Sequence, residues 1–129
     1  MAAHLSALVA VAGLPFGHVL GPLVVYLIKA HESEFVGEHA RASLNYQLTI
    51  SVLTVLAVIV AIAATFGFII PLSAANATTA GYNLAALWIV FGVGCLIVVL
   101  ASILFIILGS LAASEGRTYT YPLAIRFLR

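Results

Sequence analysis

Two long stretches of the chain are apolar on every side, with no regular return of a polar position. Residues 84–113, "LAALWIVFGVGCLIVVLASILFIILGSLAA", form the clearer one. They are rich in β-branched residues but far too long for a strand, and in lipid every backbone group must be paired within the segment, so a helix is predicted. Thirty residues at about 1.5 Å each exceed the hydrocarbon core, which predicts tilt or emergence among the headgroups. Trp88 suits an interfacial anchor. A second helix is predicted over 44–72, closed by Pro71, and the uncharged "SAANATTAGYN" of 73–83 reads as a short loop between the two.

The first thirty residues follow a different pattern. Residues 2–12 and 19–30 are each helical in periodicity, but Gly13, Pro15, Gly17, Gly21 and Pro22 interrupt them. Each half is too short to cross a bilayer alone. The segment is therefore expected to be broken between Gly13 and Pro22, as a helical hairpin or a kinked span, with the break packed against protein. The tail, 114–129, alternates apolar residues with polar ones and is too short and too charged to span, which suits a segment lying along the interface.

Composition turns these elements into a class. Hydrophobic residues make up 64% of the chain and charged residues 7%, against about a quarter charged in soluble domains. The expected fold is an all-α integral membrane protein, a single helical membrane domain over 1–129 with three to four transmembrane helices and a bilayer as its first partner. A net charge of +1 gives no footprint for nucleic acid. Cys95 is the one cysteine, so no intrachain disulfide forms. No Lys or Arg precedes the apolar start, which makes it a poor signal peptide.

Charge also sets an expected topology. Residues 42–114 hold no Asp, Glu, Lys or Arg, and all five basic residues lie in 29–41 or 115–129. The positive-inside rule puts both pieces in the cytoplasm, leaving 73–83 as an outer loop. Within 31–43, a cytoplasmic loop and helix start, Glu34, Glu38, Arg41, Asn45 and Thr49 fall at spacings that share one helical face. For the charged members a solvated helix start with Glu38–Arg41 pairing suffices. Asn45 and Gln47 enter lipid, where amides prefer to face protein, and are expected to pack inward. Glu32 and Glu34 could answer Arg117 and Arg126 in a clasp of loop and tail, worth about 0–1 kcal/mol per exposed pair.

Chemistry beyond packing finds little support. His31 and His39 with the glutamates match no compact metal spacing. His4 and His18 could approach each other in a hairpin, a weak case for haem. There is no Asp, nucleophile elbow, phosphate loop or zincin motif, and no ionisable side chain but Cys95 in 52–81 and 83–113. A non-enzyme without cofactor or catalytic residue is expected. Gly13, Gly17 and Gly21 recur every four residues around Pro15, a pattern that lets helices approach closely. Together with Glu38, His39, Arg41, Asn45 and Gln47 they are the expected packing and partner surface.

The order of "AHLSAL", "ESEFVGEHARASLNYQ" and the closing "YPLAIRFL" resembles a family of small bacterial membrane proteins of unknown function related to Tic-twenty, a component of the chloroplast inner-envelope import machinery. That resemblance implies about four hydrophobic helices and favours the hairpin form of the first segment. It also implies that Glu38, His39, Arg41, Asn45 and Gln47 carry the family pattern. The function expected from both lines is an assembly or accessory subunit, self-associating or bound to a larger membrane complex. A translocation component resembling the plastid subunit is the alternative, and a haem- or metal-binding membrane protein a weaker one.

Overall fold

The computed structural model describes residues 17–73 and 76–128, and every regular element among them is helical. Helix α1 spans Gly17–Lys29, α2 spans Glu34–Ala64, and a π-helical turn, Thr65–Ile69, leads into the short α3, Ile70–Ser73. Helix α4 covers Ala77–Ser114. Two of these stretches, Glu34–Phe68 and Ala77–Ser114, are long and apolar enough to cross a membrane. At 13 residues α1 is about 20 Å long, short of a crossing.

The elements run beyond the bounds expected from hydropathy, each for a local reason. Helix α4 starts at Ala77, inside the predicted loop, because Asn76 caps it: the Thr79 N–H donates to Asn76 Oδ1 at 3.1 Å. It ends in a Schellman turn. Gly116 sits at φ 71°, the Arg117 N–H donates to the Ala112 carbonyl at 2.9 Å, and the Gly116 N–H to that of Ala113 at 3.4 Å. Pro71 does not close the middle helix. It has no N–H for the carbonyl four residues back, and the chain widens just upstream, where the Ile70 N–H reaches Thr65 five residues back. The expected break does not reach Pro22, because the chain is helical from Gly17 onward. Gly17, Gly21 and Pro22 lie inside α1, where Pro22 forgoes one helical bond and is buried. Gly13 and Pro15 lie outside the described residues.

The chain divides into two compact units, Met1–Ser51 with Ala101–Arg129, and Val52–Leu100. In the first, the opening half of α2 is the core. Residues 43–47 are buried all round the helix, and His39, Ala40 and Thr49 with them. Three partners surround it. The end of α1 meets its start so closely that a Cβ on Gly37 would lie 3.3 Å from the Ala30 carbonyl oxygen. On another side Tyr46 meets α4, its hydroxyl 3.0 Å from Ser102 Oγ and its ring edge-on to Phe105. The third partner is the tail. The second unit has almost no buried side chains; Ala61, Thr65 and Ala80 are the exceptions among its described residues.

Candidate functional site

The polar face of α2 holds the C-terminal tail by its backbone. Asn45 Oδ1 accepts hydrogen bonds from the N–H groups of Phe127 (3.1 Å) and Leu128 (2.8 Å), and its Nδ2 donates to the Leu128 carbonyl at 3.0 Å. One helical turn further, Thr49 Oγ1 accepts from the Ile125 N–H at 2.9 Å and donates to the Asn45 carbonyl at 2.7 Å. Asn45 and Thr49 share a face because they are four residues apart. A short amide and a hydroxyl thus play the part of a neighbouring strand for a segment that has none. They satisfy backbone groups that would be costly to leave unpaired near lipid.

Aromatic packing secures the other end of the tail. Tyr121 is 3% exposed and stacks on Tyr46 with ring centroids 4.5 Å apart and planes 18° from parallel. Tyr119 meets Tyr121 edge-on at 5.0 Å, and the Tyr121 hydroxyl meets Ser43. Burial pushes the Tyr121 phenol well above its ordinary value, and that of Tyr119 upward as well. Between these anchors the chain turns at Pro122-Leu123. Leu123 adopts φ 64°, a left-handed conformation costing about 1–2 kcal/mol for a residue with a Cβ, and it is 88% exposed.

The residues singled out in the sequence take up distinct places. Asn45 is in the clamp, while Gln47 is buried with its Nε2 lacking a hydrogen-bond partner. His39 is buried, edge-on to Phe35 at 4.5 Å, with the Arg117 backbone against it. Glu38 and Arg41 line a cleft of about 780 Å³ beside the tail, together with Arg126. The expected ionic clasp is absent among the described residues. Glu32 pairs instead with Lys29 (2.7 Å) and Arg117 with Glu115, each with a near neighbour in sequence. Glu34 joins neither pair, and Glu38 and Arg41 are not paired with each other. Neutral hydrogen bonds and ring stacking therefore fix the tail; exposed charges at the rim would have gained too little to do so. Gly17 and Gly21 lie in α1, from which His18 Nε2 reaches Ser51 Oγ at 3.0 Å. Among the described residues no three His, Cys, Asp or Glu side chains converge as metal ligands would.

Tyr46, Thr49 and Tyr121 were not among the expected site residues. Thr49 lies on the helical face that its spacing from Glu34 and Asn45 already marks, whereas nothing in the sequence pairs Tyr46 with Tyr121.

Comparison with protein families decides the relationship. The magnetosome magnetite crystal formation protein family, MamF/MmsF, matches residues 1–128. The chain belongs to this family. No curated protein and no solved structure matches it. The resemblance to Tic-twenty relatives is corrected by that whole-chain match, and no link to the import component is shown. The segments that carried the resemblance, "ESEFVGEHARASLNYQ" and "YPLAIRFL", contain Asn45 and the tail residues that it holds. They encode a way of packing a tail on a helix, and such a device does not specify an activity. The translocation reading rested on the plastid relative and loses its ground with it. The family is one of magnetosome membrane proteins involved in magnetite crystal formation, which agrees with a small accessory membrane protein.

Proposed function

We propose that this chain is a non-catalytic accessory subunit of the magnetosome membrane, acting in magnetite crystal formation by associating with other membrane helices, its own copies first. The exposure of both apolar helices carries this reading. In the most apolar stretches of Glu34–Phe68 and Ala77–Ser114, only 11% and 6% of residues are buried within the chain. Lipid or other helices must cover the remainder. Gly92 and Gly94 on α4 have nothing within 4 Å of where a Cβ would stand. Glycine weakens a helix interior; the two lie about 200° apart around α4, and each open position admits the close approach of a second helix.

In this reading the chain crosses the membrane more than once, and the charged loop and tail share the cytoplasmic side. The polar run from Glu38 to Gln47 serves to build the end that partners meet. The mass of the protein in lipid nanodiscs tests the association. An oligomer is expected, and Gly92→Leu with Gly94→Leu should reduce it to a monomer without changing helicity; a wild-type monomer would overturn the proposal. Deleting the chain from a magnetite-forming cell tests the role, with altered crystal size or number expected and an unchanged crystal population counting against it.

A further inference from the structure

The cleft beside the tail has a chemistry that the clamp does not use. Arg41 and Arg126 both line it, and among the described residues neither is in an ion pair. Glu38 is the acidic residue of the lining, so these three charges sum to +1. Thr118 and Thr120 add hydroxyl groups to the same wall. Guanidinium groups present planar, paired donors that match phosphate oxygens, and they do so without heavy desolvation.

The depth of the cleft narrows the choice of phosphate. Arg41 is the last charge before the charge-free run 42–114, and Asn45, one turn further, lines the cleft too. The opening therefore lies where water gives way to hydrocarbon. The tail that forms its other wall alternates: Ala124, Arg126 and Leu128 line the cleft, while Leu123, Ile125 and Phe127 are exposed outside it, Leu123 in a left-handed conformation. Cationic groups beside an exposed apolar row suit an amphiphile, with a charged head for one and acyl chains for the other.

We infer that Arg41 and Arg126 bind the phosphate of an anionic phospholipid whose acyl chains lie against Leu123, Ile125 and Phe127. The inference needs only that the chain sits in a bilayer; it does not depend on association between copies or on a role in crystal formation. Inorganic phosphate offers the same oxygens without the chains, so it is the control that separates the two sources.

The full chain, purified in a neutral maltoside detergent, should retain dioleoylphosphatidylglycerol in native mass spectrometry and melt at a higher temperature with it. Dioleoylphosphatidylcholine and inorganic phosphate should do much less. The double variant Arg41→Gln/Arg126→Gln should bind the anionic lipid about 30-fold more weakly, taking the usual gain per basic residue at a membrane surface. Arg126 is exposed, so Arg126→Gln alone leaves the fold intact and should cost about fivefold. Leu123→Gly keeps both guanidinium groups and should weaken lipid retention while leaving any phosphate effect unchanged. Equal retention by wild type and the Arg126→Gln protein would overturn the inference. Stabilisation by inorganic phosphate equal to that by the lipid would overturn the lipid assignment.

Discussion

Residues 43–49 and 52–57 lie two positions apart in α2, yet their surroundings have little in common. The first stretch is covered on nearly every side by protein, although it contains Ser43, Asn45, Gln47 and Thr49. The second, all apolar but for Thr54, is exposed throughout. A soluble protein would arrange them the other way, with polar residues outside and apolar residues within. In lipid the preference inverts. Hydrocarbon is no worse a neighbour for Val55 or Leu56 than another side chain would be, whereas each polar group needs protein to answer it. The tail, α1 and the end of α4 gather around the polar half of the helix, and the first unit owes its core to that demand.

Substitutions in the two stretches should separate sharply. The largest loss is expected from Asn45→Leu, which strips three backbone groups of the tail of their partners. At about 1 kcal/mol or more each, the protein in detergent should lose roughly 3 kcal/mol of stability, and protease should cut the tail after Arg126. A melting curve within error of wild type would show that the clamp contributes nothing.

Tyr121→Ala should follow closely, at about 3 kcal/mol, because it removes a buried ring and its stack on Tyr46. Alkali should act on the same residue. Its phenol stays protonated in the folded protein above the pH at which it ionises in an unfolded chain. The folded state therefore holds the extra proton above about pH 10, the ordinary tyrosine value, and stability falls as pH rises beyond it. Below that pH the contribution is complete. Tyrosine absorbance near 295 nm should rise together with release of the tail, and Tyr121→Phe should shift that release to higher pH.

Gln47→Leu sharpens the contrast from the other direction. The amide is buried with an unanswered Nε2, so replacing it should leave stability unchanged or raise it by about 1 kcal/mol at most. A loss comparable to that of Asn45→Leu would mean that the amide has a partner. The smallest effect belongs to the lipid-facing stretch. Val55→Ala and Ile59→Ala should each stay within about 0.5 kcal/mol of wild type in a bilayer, the range of substitutions away from packed sites.

Hydropathy located both long helices because the bilayer requires paired backbone and an apolar exterior along the entire length of a span. It misplaced their ends. Helix α2 begins at Glu34, upstream of its apolar stretch, with Glu34 exposed in the first turn, and α4 begins at Ala77 because Asn76 caps it. The Asn76 cap and the Gly116 turn were local signals, readable from residue type and position. The clamp was not readable in that way. Asn45 and Phe127 are 82 residues apart, and an amide at the mouth of a membrane helix is equally compatible with a neighbouring helix, a second copy or water.

The amino-acid order by itself determined that this is a helical membrane protein with two long apolar helices and its charge gathered in two short pieces, because each property is a sum over neighbouring residues. It also carried the family relationship, although the particular resemblance drawn from its motifs was mistaken. Only the tertiary structure decided that the tail is joined to residues 43–49 of α2 through neutral hydrogen bonds and stacked tyrosines, leaving Arg41 and Arg126 outside any ion pair among the described residues. Charges attract over distance and suggest many pairings, whereas a hydrogen bond of 2.8 Å to one backbone N–H exists only once the chain has folded around it.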